Sequence, residues 1–403
     1  MKFSIDQKVL KNELTLISGV IETRSTIPIL ANVFIESLGD NTIRLTATDL
    51  DITLRCDAEA VVEEGGKVCI LARKLFDIVS ALGEETLQFE SDENGWLRLK
   101  ASTGNYRLPG IDPNQYPETN FDKSTPLELP AAIMSDFIQN TSFAISNDIS
   151  RYTLSGAKFE FDGRQALMVA TDGHRLALIR REIEGRKAAK TEKIDVLIPR
   201  KVLRMVHRIA SGTIENIHFG EGDNMFFFEF PGRLIASRKL NGNFPNYEMV
   251  LPKTSKGAAE FDLNEMRGAV HRISLLDRVA DGTPLRMTIK SGKIEITNRN
   301  TDVGEGLEII NADYEGEEIA IGFNSKYLID FFSNVGSLAE NAAEEAETAS
   351  AATEDGAATA RAKATTQKLR GRLEFTEPNA AAEFGLSGEK DYEYRYIVMP
   401  LRI

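Results

Sequence analysis

Apolar residues along this chain follow two periods in a fixed order. Phe3-Ser4-Ile5 alternates as a strand does, and Leu10, Leu14, Ile17 and Ile21 then recur at helical spacing. The same change of period starts again at Lys67-Val68-Cys69-Ile70-Leu71, whose helix carries Leu75, Ile78, Val79 and Leu82. It starts again at Leu127-Glu128-Leu129, with Ile133, Phe137 and Ile138 behind it, and at Asp195-Val196-Leu197-Ile198, with Leu203, Val206 and Ile209. Pro130 and Pro199 stand between strand and helix in these two and are expected in the first helical turn. The fifth start is Ala259-Glu260-Phe261-Asp262-Leu263, with Met266, Val270 and Ile273. The sixth is Glu317-Glu318-Ile319-Ala320-Ile321, with Asn324 as the expected N-cap and Leu328, Phe331 and Phe332 on the helix.

The starts lie roughly sixty residues apart, and short strands punctuated by turns fill the gaps. One example is Leu285 to Ile289 with Lys293 to Thr297, joined through the hairpin signal Lys290-Ser291-Gly292. The pattern predicts a β-α-β-β-β unit repeated six times. A single unit leaves the apolar face of its sheet open, so units are expected to work in pairs. Pairing gives three similar α+β domains, at 1–123, 124–254 and 255–403. The joints fall in the turn-rich runs Asp122 to Pro126 and Pro252 to Gly257. From 337 to 368 the chain is nearly all Ala, Glu, Thr, Gly and Lys, so it cannot bury a core and reads as a disordered insertion in the last domain.

Charge changes the picture. The formal net charge is −13, which argues against a uniformly basic surface coating nucleic acid or membrane. Yet the predicted helices are net basic. They carry Lys8 and Lys11, Arg73 and Lys74, Arg267 and Arg272, Lys326, and above all Arg200, Lys201, Arg204, His207 and Arg208. Arg200, Arg204 and Arg208 are four apart and share one stripe. Cys56 and Cys69, the two cysteines, sit in strand-like runs and are expected as buried thiols of a reducing compartment. The first residues enter a strand at once without a signal-peptide pattern, and no apolar run has the length of a membrane span, so a cytoplasmic location is expected.

The densest chemistry lies at Ala170-Thr171-Asp172-Gly173-His174-Arg175-Leu176-Ala177-Leu178. Asp-Gly predicts a turn between two strands, which holds a carboxylate, an imidazole and a guanidinium together. Three readings fit these residues: an aspartate orienting a histidine base, a structural turn, or a rigid site that receives a partner. The histidines His174, His207, His218 and His271 have no metal-ligand spacing, and there is no nucleophile elbow or phosphate loop, which weighs against an enzyme.

Six short runs in order on this repeat resemble the bacterial DNA sliding clamps, the DNA polymerase III beta subunit family. They are Pro28-Ile29-Leu30-Ala31-Asn32 after Arg24, Thr48-Asp49-Leu50, Ala170 to Ala177, Phe244-Pro245-Asn246-Tyr247 with Val250-Leu251-Pro252, Ile321-Gly322-Phe323-Asn324, and the C-terminal Val398 to Ile403. The resemblance covers the chain apart from the insertion. It implies a DNA-clamp fold in a head-to-tail homodimeric ring, helices lining the hole and sheets outside. Such a ring encircles double-stranded DNA without reading sequence and tethers polymerases, with no catalysis, cofactor or metal. The implied partners are the DNA polymerase III catalytic subunit, the clamp loader, and other DNA polymerases and repair factors that carry a clamp-binding peptide. The positions matching the family's peptide groove are Leu154, Thr171, Gly173, His174, Arg175, Leu176, Pro245, Val250, Val398, Met399, Pro400, Leu401 and Arg402. For DNA contact it points to Arg24, Arg73, Tyr152, Lys201, Asn324 and Tyr327, with Arg151 and Arg200 beside matched positions. For the dimer seam it points to Lys74, Tyr106 and Leu108 on one subunit and Leu275 and Leu276 on the other. The alternative is a non-replicative peptide-binding scaffold on the same fold, which the basic helix stripes disfavour.

Overall fold

The structure is a computed structural model. It describes residues 1–21, 27–92, 95–118, 127–148, 150–183, 193–212, 214–277, 284–300, 302–335, 369–388 and 391–402. Among the described residues the β-α-β-β-β unit recurs six times, as the periodicity predicts. Its helices are α1 (Gln7–Ile17), α2 (Ala72–Ala81), α3 (Ala131–Thr141), α4 (Arg200–Ala210), α5 (Leu263–Ser274) and α6 (325–335). Local chemistry starts them. The Asp6 carboxylate accepts from the Lys8 and Val9 amides at 2.8 and 3.2 Å, and Asp262 accepts from Asn264 and Glu265 at 2.9 and 3.0 Å. Asn324 caps α6 through the Lys326 amide at 2.9 Å, as expected.

The prolines differ from expectation. Pro130 and Pro199 each end a strand, Leu127–Pro130 and Ile194–Pro199, and the helix begins one residue later. Among the described residues both strands are sheet edges, where a residue without an N–H leaves no ladder bond unmade.

The leading strand of each unit pairs with a strand of the neighbouring unit. Lys2–Asp6 pairs with Thr86–Ser91 of the second unit, and Lys67–Leu71 pairs with Asn32–Ser37 of the first. Leu127–Pro130 pairs with Asn216–Glu221 and Ile194–Pro199 with Gly156–Phe161. Gly257–Asp262 pairs with Arg370–Phe375 and Ile319–Asn324 with Pro284–Lys290. Units therefore interlock two by two through exchanged strands, giving three similar pairs.

By density of contacts the chain divides into two compact units, Met1–Ser135 with Lys201–Lys239 and Asp136–Arg200 with Leu240–Ile403. The first holds a five-stranded and a nine-stranded sheet of described residues; the second holds a sheet of twelve. Inside the first, Ile52–Glu59, the last strand of the β-α-β-β-β unit of repeat one, pairs with Arg233–Arg238, the last strand of repeat four. Inside the second, Arg175–Glu182, last in repeat three, pairs with Tyr392–Val398, last in repeat six. Buried side chains fill the helix-facing sides of the sheets: Phe3 stacks on Phe89 at 4.8 Å, and Phe331 stacks on Tyr396 at 5.0 Å. Each such ring removed from water contributes roughly 2–3 kcal/mol. Cys56 and Cys69 are buried and free, and burial pushes the Cys69 thiol up to about 12. The 337–368 insertion and the Asp122 to Pro126 joint lie outside the described residues.

Candidate functional site

The Thr171–Arg175 turn connects the strands Gln165–Thr171 and Arg175–Glu182 and is built from its own side chains. Asp172 Oδ1 accepts from the His174 and Arg175 amides at 2.9 and 3.1 Å. Thr171 Oγ1 donates to the Arg175 carbonyl at 2.6 Å and accepts from the Gly173 amide at 3.0 Å. Gly173 turns the chain at φ +91°, a conformation in which a β-carbon is strained. The Asp172 carboxylate thus bonds to the backbone of its own turn and to Arg175, and it makes no bond to the His174 ring among the described residues. An aspartate spent this way does not orient a histidine base.

Strand alternation then sorts the neighbours. Leu176 points to one side of the sheet and Arg175 to the other. On the Leu176 side lies an apolar cavity of about 150 Å³, lined by Leu154, Thr171, Gly173, His174, Arg175, Leu176, Pro245, Asn246, Tyr247, Val250, Ile397 and Met399. Beneath it Leu167, Val169, Leu176, Leu178, Tyr247 and Ile397 form a buried cluster, with Phe244 and Leu251 packed against it. The Met399 amide donates to the His174 carbonyl at 2.9 Å, so the C-terminal strand forms one wall. Met249, next in the chain to the lining residue Val250, is 81% exposed. Tyr247 donates to Glu160 Oε2 at 3.2 Å; its pKa is pushed up to about 12 by burial and by Glu160.

Nine of the thirteen groove residues expected from the sequence line this cavity. Val398, Pro400, Leu401 and Arg402 do not. Val398 is buried on the other side of the strand from Ile397 and Met399, and the Leu401 amide donates to the Gly322 carbonyl at 2.8 Å. Asn246, Tyr247 and Ile397 line the cavity without having been expected there. The signal for Ile397 was available: two residues before Met399, it shares that residue's face.

The basic residues divide by environment. Arg73 is exposed, Tyr152 is 67% exposed, and Arg204 and Arg208 lie exposed on α4. Lys201 and Arg200 are held instead. Lys201 Nζ donates to Asp49 Oδ2 at 2.6 Å and to the Val20 carbonyl at 2.7 Å. Arg200 donates to Asn147 Oδ1 at 2.7 Å and to the Ile145 carbonyl. Arg151 is exposed, with its guanidinium 3.4 Å from Asp148 and donating to the Asp172 carbonyl at 3.2 Å. Asn324 caps α6 and Tyr327 lies half-buried on it. Arg24 lies outside the described residues. Of the seam residues, Lys74 is exposed, Tyr106 is 37% and Leu275 68% exposed, and Leu108 and Leu276 are half-buried.

Three interlocked pairs of β-α-β-β-β units, with an apolar pocket beside a strand joint, define the three-domain sliding-clamp class. Family models agree along most of the chain. The DNA polymerase III beta subunit N-terminal domain matches residues 1–120, its central domain 128–246 and its C-terminal domain 248–343. The beta sliding clamp of Haemophilus influenzae is 30% identical over 335 residues, covering 82% of this chain and 89% of that one. That of Bacillus subtilis is 28% identical over 341 residues, with 82% and 89% covered. Among solved structures, the sliding clamp of Pseudomonas aeruginosa bound to griselimycin superposes with a TM-score of 0.83 at 26% identity, over 100% of both chains. The Caulobacter crescentus clamp does so at 0.83 and 25%, also over 100% of both. The chain belongs to the DNA polymerase III beta subunit family, the bacterial beta sliding clamps. Its function is that of a DNA sliding clamp, a processivity factor of DNA replication.

Proposed function

We propose that the cavity beside the Thr171–Arg175 turn is the groove that takes a short linear peptide from the DNA polymerase III catalytic subunit, the clamp loader and other polymerases and repair factors. The carrying observation is its composition: Leu154, Leu176, Val250, Ile397 and Met399 converge around about 150 Å³ of space, while the one cation there points its charge away from it. Such a pocket recognises apolar side chains on an extended backbone. The protein acts by tethering, without catalysis, in the cytoplasm. Removing Met399 to Ile403 takes out one wall. Calorimetry with a synthetic clamp-binding peptide of the catalytic subunit should show binding lost, while sizing shows the assembly unchanged. Retained affinity would remove the groove assignment.

We propose a head-to-tail ring, a reading supported by the way repeats join. Last strands already pair one with four and three with six, which leaves those of repeats two and five. Asn105–Leu108, from repeat two, is the outermost strand of its sheet. Gly304–Asp313, from repeat five, is paired on its second side only at Ala312 and Asp313 among the described residues. Pairing these two edges between copies repeats the same join and brings Tyr106 and Leu108 beside Leu275 and Leu276. The domains then run 1–123, 124–254 and 255–403, and the basic helices face DNA. Retention on nicked circular duplex, lost on linearisation, tests the ring; peptide binding without retention would instead mark a scaffold that never surrounds DNA.

A further inference from the structure

The charge of Arg175 needs an explanation, because its side chain is only 6% exposed. All three of its nitrogens are engaged on the side away from the cavity. Nε donates to Asp172 Oδ2 at 3.0 Å, one Nη to Asp330 Oδ2 at 2.6 Å, and the other to the Phe143 carbonyl at 2.7 Å. The Tyr327 ring covers the guanidinium, its centroid 4.4 Å from Cζ. Asp330 and Tyr327 both come from α6, and Tyr396 fixes that helix by donating to the Tyr327 carbonyl at 2.9 Å. A buried guanidinium with one carboxylate partner draws that partner onto itself; two partners share it and each keeps oxygens for other work. Here Asp330 takes one edge of the guanidinium. Asp172 is thereby left with Oδ1 for the His174 and Arg175 amides, the bonds that shape the turn.

The first compact unit repeats the device with different chemistry. Its turn Thr48-Asp49-Leu50-Asp51-Ile52 has the same internal bonds: Asp49 Oδ1 accepts from the Asp51 and Ile52 amides at 3.1 and 2.7 Å, and Leu50 N donates to Thr48 Oγ1 at 3.1 Å. The neighbouring strand closes on it in the same way, Arg238 N donating to the Asp51 carbonyl at 2.9 Å as Met399 N does to that of His174. There the free oxygen of the turn aspartate is held by Lys201 of α4 at 2.6 Å. In both units a helix of the strand-joined repeat grips the turn aspartate, directly through a lysine or, in the second, through Arg175 from an acidic residue.

We infer that Asp330 is a positioning residue of the peptide groove: through Arg175 it frees Asp172 to hold the turn, and so sets where His174 and Met399 stand. The inference rests on the groove reading above. Without the Asp330 charge, Asp172 turns toward the guanidinium and gives up its amides. The His174 carbonyl shifts, and the Met399 wall moves with it.

The test uses the full chain and the same catalytic-subunit peptide, with four variants: Asp330→Asn, Asp330→Glu, Val250→Asp and Glu393→Gln. Glu393 accepts from Arg180 at 2.7 Å on the same pair of strands but outside the turn, so it is the control for losing an ion pair. Asp330→Asn should weaken the peptide about tenfold or more, while Asp330→Glu recovers much of the affinity and Glu393→Gln changes little. Amide exchange at Met399 should quicken in Asp330→Asn, and that of Tyr394 to Ile397 should not. If Val250→Asp leaves binding intact, the groove reading itself fails. If Val250→Asp abolishes binding while Asp330→Asn matches Glu393→Gln, the positioning role is overturned. It is equally overturned if the affinity falls only in step with loss of folded protein, or if Met399 exchange is unchanged.

Discussion

His207 gives the clearest residue-scale prediction. Half-buried on α4, its Nδ1 lies 3.0 Å from the Ser135 hydroxyl, and burial holds its pKa below the ordinary imidazole value. As pH falls below about 6.5, the unfolded chain therefore binds a proton at this site while the folded residue is still neutral. The contribution of His207 is fully present above that value and declines as pH falls toward the lower folded pKa. Melting temperatures measured from pH 8 to 5 should drop less for His207→Gln than for the parent. The two turns give a paired prediction of opposite sign. Leu50 occupies φ +78°, where Gly173 sits at +91° in the equivalent turn. A side chain there is strained by roughly 1–2 kcal/mol, while glycine adds about 0.5–1 kcal/mol of unfolded-state entropy. Leu50→Gly should then stabilise by up to about 1 kcal/mol, and Gly173→Ala should destabilise by a similar amount, both read from denaturant midpoints.

At the scale of elements, the repeat, its helices and its turns were legible because each is set by local pattern. Leu10, Leu14 and Ile17 are buried where the helical period puts them, and Gly292 turns the hairpin that Ser291-Gly292 announces. What could not be read was partnership between distant segments. Arg200 and Lys201 head a basic stripe in sequence, yet their charges are met by Asn147 and the Ile145 carbonyl, and by Asp49, groups that lie far along the chain. The exchange of leading strands was hidden for the same reason, since a leading strand reads alike whichever unit it joins. Nine residues that line the cavity were named through the resemblance, but the inward turn of Arg175 was not legible, because Asp330 lies 155 residues away. The DNA prediction therefore moves along α4. Arg204 and Arg208 are exposed and make no ion pair among the described residues, so they are the better probes. Replacing both with glutamine should leave the melting temperature unchanged and weaken retention on nicked circles. The slope of log affinity against log salt should become shallower by roughly 0.9 for each phosphate that is no longer neutralised. Unchanged retention at low salt would take DNA away from this helix face.

For the whole molecule, a formal net charge of −13 stands beside net basic helices, so charge is segregated along the chain rather than spread evenly. The segment 337–368 enters as the one part of the sequence that the repeat does not use. Every strand of the sixth unit is placed without it. Arg370–Phe375 pairs along its length with Gly257–Asp262 and with Ala382–Leu386, and Leu369 already accepts the Leu263 amide at 2.8 Å. On the near side Val335 is the last described residue of α6 and is buried. Both described flanks thus make contacts outside the insertion, and its composition has no apolar face to add. Loop-closure entropy changes slowly with length, about 0.6 kcal/mol per doubling, so a shorter connection should stabilise slightly if it alters stability at all. Replacing 337–368 with a short Gly-Ser linker should leave the solution assembly the same as the parent's and the melting temperature equal or a degree or two higher. Polymerase processivity measured on the same preparation separates the remaining roles. Equal processivity marks the segment as dispensable to tethering. Lost processivity with an unchanged assembly assigns it a docking role, with its acidic first half and the basic residues Arg361 and Lys363 as the groups to divide next. An assembly smaller than the parent's, or melting several degrees lower, would mean that the flanks are held from within the segment after all.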